Sequence, residues 1–136
     1  MVRNVLADAS ALIAILDPSD SHHHECVAAL KTIRDPLATV WPAVAEAMHL
    51  LAGVPRAHVA LCDMLSDGAV QLLHLDAADV PRLKALMQKY RDRPMDFADA
   101  ALVRAAEREG LTRIVSFDAD FAIYRLPGRV RFTVLP

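Results

Sequence analysis

Cysteine is scarce in this chain. Its 136 residues hold two, Cys26 and Cys62, which form no CxxC pair. That excludes a disulfide framework. Both are expected to be reduced thiols in the core, since free cysteine is among the most buried residue types, and a reducing cytoplasm fits them. Long apolar runs are also missing. No stretch reaches the roughly 18 apolar residues that a membrane span needs. The opening MVRNVLADASALIAIL has an early Arg3, but Asp8 interrupts its apolar stretch and no clean small-residue cleavage site follows. It therefore reads as part of the fold and not as a signal peptide. A basic excess is absent as well: 15 Lys and Arg stand against 17 Asp and Glu, a net charge of −2. This is not the usual footprint of a nucleic-acid binder. It does not exclude one, because acids gathered at a metal site can offset a basic rim. Repeats, low-complexity tracts and long linkers are lacking, so one domain spanning 1–136 is expected.

What is present is a globular composition, 54% hydrophobic and 24% charged. A chain of this size buries roughly 68% of the surface its unfolded form exposes, enough for a core without staples. Short apolar runs at 2–7 (VRNVLA), 37–40 (LATV), 70–75 (VQLLHL), 113–118 (RIVSFD) and 130–135 (VRFTVL) predict five strands. Between them lie helical stretches. SALIAIL at 10–16 comes first. A helix follows the turn at DPSDS, with Asp17, Ser19 or Asp20 as its cap. Another begins at Pro42 and ends before Gly53, and another runs from Pro55 to near Gly68. DAADVPRLKALMQKY is amphipathic, with Asp76 as its cap. The last begins near Asp96 and ends at Gly110. Strands alternating with helices predict an α/β fold, a mainly parallel five-stranded sheet with helices on both faces.

In such sheets function gathers at the carboxyl ends of the strands. Asp8 ends the first strand and Asp118 the fourth, although either is equally suited to cap the helix that follows. Glu46 lies in AVAEAMHLL, a helix apolar on nearly all sides. It occupies either a solvated stripe beside His49 or a site that compensates its charge, since burying a lone ionised Glu is costly. Asp96 and Asp99 share a helix face at i and i+3. The helix dipole favours negative charge there by ~0.3 to 1 kcal/mol, and Asp96 is the better placed to cap. Asp99 sits deeper, among alanines. If Asp8, Glu46, Asp99 and Asp118 converge, each pair ~5 Å apart repels by ~3 kcal/mol at an effective dielectric of 20. Such a cluster calls for a cation, and oxygen-only ligands select Mg²⁺ or Mn²⁺. That site can activate water and brace the leaving oxygen of a phosphodiester.

VLADASALIAIL, PAVAEAMHLL, DFADAALVRAAE and IVSFDADF resemble, in order and at the usual separations, the four motifs of the PIN-domain family. Among its members the chain is most similar to the VapC-like toxins of bacterial toxin–antitoxin pairs. The resemblance covers nearly the whole chain. It implies a three-layer α/β sandwich and a Mg²⁺- or Mn²⁺-dependent ribonuclease site. Asp8 matches the first-strand acid and Ser10 the hydroxyl residue two places on. Glu46 matches the acid of the following helix, Asp99 before Ala100 the third acid, and Asp118 the fourth. Ser116 stands where Thr is usual, and Asp120 and Phe121 complete the last motif. Asp96 is an additional acid found in some members. The resemblance further implies an RNA substrate, a homodimer, and an antitoxin whose tail brings basic side chains to the acidic site.

Other features read more plainly. His22, His23 and His24 with Glu25 read as a solvated helix start, because adjacent residues do not share a face. Trp41 is expected to pack in a core or interface, though it is also of a kind that stacks on a base. Arg91 and Arg93 are equally a solvated loop or phosphate contacts. A phosphorylation-dependent receiver domain would need its phosphorylated Asp to end the third strand, where this chain has VQLLHL, and a Lys to end the fifth, where VRFTVLP has none. A haloacid-dehalogenase-like phosphatase would need a second Asp at position 10. A non-catalytic binding module and a DNA-directed nuclease stay open at this stage, since nothing here recognisably reads a 2′-hydroxyl.

Overall fold

The computed structural model describes residues 3–136. Its strands are β1 (Val5–Ala7), β2 (Leu37–Thr39), β3 (Val70–Leu72), β4 (Arg113–Val115), β5 (Arg125–Leu126), β6 (Val130–Arg131) and β7 (Thr133–Leu135). Its α-helices are α1 (Ala9–Leu16), α2 (His23–Leu30), α3 (Trp41–Leu50), α4 (Pro55–Asp67), α5 (Val80–Lys89) and α6 (Phe97–Glu109). Five strands form one sheet in the order β3-β2-β1-β4-β7, every neighbouring pair parallel. The expected α/β sandwich is the one observed.

The central strands are buried on both faces, as a parallel sheet between helices demands. Side chains alternate across β1. Leu6 faces a core with Leu83, Leu86 and Leu102 of α5 and α6. Val5 and Ala7 face a second core with Leu12, Cys26 and Leu61 of α1, α2 and α4. Each fully buried aliphatic side chain stabilises the fold by about 1.5 to 3 kcal/mol. Helix α3 bridges the two layers: its Ala43 belongs to the first core, and its Val44 and Ala47 to the second. The helix carrying Glu46 is thereby wedged between α1 and α6.

Several boundaries differ from the sequence reading. Residue 2, assigned to the first strand, lies outside the described residues. The segment 130–135 is not one strand. Phe132 is buried and divides β6 from β7; β6 pairs antiparallel with β5, while β7 joins the main sheet beside β4. The run at 70–75 is a strand only over Val70–Leu72, and 113–118 only over Arg113–Val115. Asp76 caps as expected, but it caps a single 3₁₀ turn, Ala77–Asp79, that leads into α5. None of Asp17, Ser19 and Asp20 caps α2. Its N-cap position is His22, whose backbone N–H donates to Asp20 Oδ2 at 3.0 Å.

The expectation that both cysteines lie in the core holds for one of them only. Cys26 is buried, and burial followed by the Asp20 charge pushes its thiol up to about 11. Cys62 is exposed. It follows Leu61, one of the buried residues of α4, and the next residue on a helix turns away from the face its neighbour buries. Of the two placements expected for Trp41, core and interface, its 62% exposure excludes the core. The histidines are more engaged than a solvated start: His22 stacks on Phe117 with ring centroids 4.4 Å apart, and His23 Nδ1 lies 2.7 Å from Ala14 O.

Candidate metal centre

Strand order reverses beside β1. The chain runs outward from β1 through β2 to β3, then returns to β4 on the other side. The crevice at such a switch point, beyond the carboxyl ends of the strands, is where open α/β sheets bind ligands. Pairing of Leu6 with Ile114 and Ala7 with Val115 places Asp8 and Ser116 side by side at this point.

Asp8 is buried and tightly held. Its Oδ1 accepts from Ser10 Oγ at 2.6 Å and from the Ala11 backbone N–H at 2.9 Å, and its Oδ2 accepts from Ser116 Oγ at 2.5 Å. The bond to Ala11 is also the N-cap of α1. Ser10 Oγ also accepts from Phe117 N at 2.9 Å, and Ser116 Oγ from Asp118 N at 3.0 Å. The hydroxyl at 116 therefore joins two acids. Asp118 in turn accepts from Asp120 N at 2.9 Å.

On α6, Asp96 is the N-cap and accepts from Asp99 N at 2.8 Å, as expected. One turn of helix then aims Asp99 inward, where it is 8% exposed. Its Oδ2 accepts from the hydroxyl of Tyr124 at 2.8 Å. Tyr124 went unnoticed in the sequence. A lone tyrosine carries no motif, and the only signal was that a buried Tyr needs a polar partner.

Asp8, Ser10, Glu46, Asp96, Asp99 and Asp118 line one cleft of about 210 Å³, closed by Ala9, Ile13 and Leu50 and without a basic side chain. Glu46 is half-buried on the α3 wall, while His49 is exposed and turned away from this lining. Among the described residues, Asp99, Asp118 and Asp120 each present an oxygen within 4.8 Å of the others. Asp120, read from sequence only as completing a motif, belongs to this closest group. Arg93 is the nearby base, its Nη1 3.9 Å from Asp120 Oδ1, whereas Arg91 forms no ion pair with the described residues.

The electrostatics follow from the crowding. Burial, with the charges of Asp96, Asp118 and Asp8, pushes the Asp99 carboxyl up to about 7 against the Tyr124 hydrogen bond. Burial also raises Asp8, opposed by its Ser10 and Ser116 bonds. Glu46 is raised by burial and then by Asp96. Asp120 is raised by burial and by Asp118. Oxygen donors this close, with so little positive charge, have the composition of a site for a hard divalent cation.

The PIN domain family pattern matches residues 5–126. The chain is 32% identical to Ribonuclease VapC26 of Mycobacterium tuberculosis, over 97% of this chain and all of that one. In fold it is similar to VapC20 of Mycobacterium tuberculosis, described as a sarcin–ricin loop cleaving toxin. The TM-score is 0.81 and the identity 20%, over 88% of this chain and 94% of that one. It is also similar to VapBC2 from Rickettsia felis bound to a promoter DNA fragment. There the TM-score is 0.67 and the identity 12%, over 98% of this chain and all of that one. With acids at the switch point and a family match across most of its length, the chain belongs to the PIN domain family.

Proposed function

We propose that this protein is a metal-dependent endoribonuclease that hydrolyses RNA phosphodiester bonds, the toxin of a toxin–antitoxin pair acting in the cytoplasm. The observation that carries the reading is the cleft itself: five carboxylates, from Asp8, Glu46, Asp96, Asp99 and Asp118, face one space that holds no base. Its relative VapC26 is named a ribonuclease.

Asp99, Asp118 and Asp120 would hold Mg²⁺ or Mn²⁺, with Asp8 beside them. When bound, the ion supplies Lewis-acid stabilisation of charge at the phosphoryl group and makes water a better nucleophile near neutral pH. The chain's own groups do the rest. Ser10 and Ser116 hold the Asp8 carboxylate in one orientation, and Tyr124 does the same for Asp99. Glu46, on the opposite wall and with a raised proton affinity, orients the attacking water and accepts its proton.

Two partners accompany this reading. A second copy fits the face around Trp41, Val80 and Phe97, which are 62%, 51% and 51% exposed and surround an apolar cavity of about 200 Å³. Exposed apolar clusters of this kind mark protein interfaces. An antitoxin with a basic tail complements the acidic cleft, and the VapBC2 neighbour is itself a toxin–antitoxin assembly by name.

The test is cleavage of total RNA and of a transfer-RNA pool by the purified chain, with Mg²⁺ or Mn²⁺, with a chelator, and with Asp8→Asn and Asp99→Asn alongside. Discrete fragments that vanish with chelator and with either substitution are expected. Equal cleavage by all three proteins would sink the site assignment.

A further inference from the structure

The hairpin formed by β5 and β6 lies apart from the acidic site chemistry and largely beyond the family pattern, which ends at residue 126. Its sequence, RLPGRVR from 125 to 131, holds three arginines and no acid. Register pairs Arg125 directly with Arg131 across the two strands. Like charges placed opposite each other destabilise a strand pair. At the tip, Gly128 and Arg129 both have positive φ, 76° and 60°. A non-glycine residue in that region is strained, so the turn holds Arg129 outward at a conformational cost. The ion pairs among the described residues include none of Lys89, Arg125, Arg129 and Arg131.

Of these bases, Lys89, Arg125 and Arg129 line a groove. Arg82, Lys89, Tyr90, Arg125 and Arg129 border a trough of about 570 Å³ whose lining contains no carboxylate. Arg82 is neutralised by Glu107 at 2.7 Å, which leaves Lys89, Arg125 and Arg129 as the uncompensated charges. Nη1 of Arg125 donates to the carbonyls of Ala122, Ile123 and Tyr124, so its guanidinium is held in place. In a chain of net charge −2, this concentration of positive charge calls for an anionic ligand.

The groove and the cleft are linked through side-chain contacts. Tyr90 on its wall accepts a hydrogen bond from Arg125 N at 2.9 Å, and its ring packs edge-on against Tyr124 with centroids 5.0 Å apart. Tyr124 is the residue that donates to Asp99. One pair of tyrosine rings thus separates the positive trough from the acids.

We propose that this trough binds the phosphate backbone of single-stranded RNA flanking the bond to be cut, with Lys89, Arg125 and Arg129 as the phosphate contacts. This rests on the ribonuclease reading for its choice of ligand. Phosphate contacts of this type position the strand without reading its sequence. The segregation of charge supports the same strand passing from a basic trough, which holds its backbone, into an acidic cleft.

The experiment measures fluorescence anisotropy of labelled 12-residue oligo-U and oligo-A RNA in chelator, so that nothing is cut, between 50 and 200 mM salt. It compares the wild type, Lys89→Ala with Arg129→Ala, and Lys31→Ala with Arg34→Ala. The last two bases are exposed; Lys31 is the C-cap of α2, which packs in the second core, and Arg34 follows it in the loop. The hairpin pair is expected to bind both RNAs roughly tenfold more weakly, with the salt slope reduced by about 1.4, the value for two lost single-strand contacts. The control pair is expected to match the wild type. Unchanged affinity and slope in a hairpin variant with wild-type melting would overturn the proposal. So would unaltered RNA binding with lost binding of a poly-glutamate peptide, which would make the trough a peptide site. Metal-dependent cleavage, run separately on the same proteins, tells the two readings apart. If the wild type cleaves and the hairpin pair binds RNA normally, only the trough assignment falls. If nothing cleaves but the hairpin pair loses RNA, the trough stands and the ribonuclease reading falls.

Discussion

Asp99 is buried against an apolar helix face yet surrounded by other carboxylates, and its raised proton affinity is the measurable result. The folded state holds a proton that the unfolded state, with an ordinary value of 3.8, releases. Stability of the metal-free protein therefore falls as pH rises from about 4 through about 7, because the native state binds more protons over that interval. Asp8 and Glu46 shift in the same direction and add to it. Thermal melts in chelator are expected to show the decline, and Mn²⁺ is expected to reverse it most at the alkaline end, where the acids are ionised. Asp99→Asn is expected to raise the metal-free melting temperature at pH 8 and flatten this dependence while abolishing cleavage. A melting temperature that climbs with pH in the absence of metal would contradict the assignment. Tyr124→Phe removes the donor at Asp99 Oδ2 and leaves the ring packing in place. Outer partners of metal ligands are worth about 10- to 100-fold in affinity. Mn²⁺ titration calorimetry is expected to show a loss in that range with little change in melting temperature.

Among the elements, α6 is joined to the start of α5 by a part-buried ion-pair cluster as well as by its apolar face. Asp79, 2% exposed at the start of α5, accepts from the guanidinium of Arg104 and from that of Arg108, both at 2.8 Å. The Asp76 backbone N–H, followed by these two arginines, holds its carboxyl down at about 2. The sign here is opposite to that of Asp99: this stability is present above 3.8 and is lost as pH falls through about 2. Asp79→Ala leaves Arg108 without its carboxylate and Arg104 with Glu107 alone. It is expected to lower the midpoint of urea unfolding, by less than loss of a fully buried pair because both arginines are part-exposed and Arg104 keeps Glu107, and to weaken metal binding through movement of α6. The cap at the other end of the cluster was legible in DAAD, and the cluster was not. Arg104 and Arg108 are one helical turn apart, but nothing in the sequence says that Asp79 lies opposite them, 25 and 29 residues away.

For the molecule as a whole, charge and apolar surface are sorted onto separate faces. The acidic cleft, the basic trough and the apolar face at Trp41 and Phe97 are distinct surfaces. Among the described residues no helix is long and apolar enough to cross a membrane. Trp41 and Phe97 are exposed, and large exposed apolar side chains grouped in this way are of the kind that interfaces bury. Trp41→Asp together with Phe97→Asp is expected to convert a dimer to a monomer in light scattering at micromolar concentration, with the melting cooperativity of each chain intact. A wild type that is monomeric at that concentration would remove the dimer from the functional picture.

Local chemistry is what the sequence by itself determined. The alternation of short apolar runs with helical stretches set the α/β class, because burial on both faces of a parallel strand requires an unbroken apolar run. Asp8, Asp76, Asp96 and Asp118 were placed at element ends by rules that act over three residues, and all four cap there. Pairing in space is what only the tertiary structure decided. Ser116 reaches Asp8 across 108 residues because β4 lies beside β1, a fact of strand order and not of local pattern. The same holds for Tyr124 at Asp99, for Asp79 between its arginines, and for the split of 130–135 into two strands on different partners. Exposure of Trp41 and Cys62 is likewise a property of which helix faces meet, since composition ranks residues by hydrophobicity and only packing assigns them a neighbour.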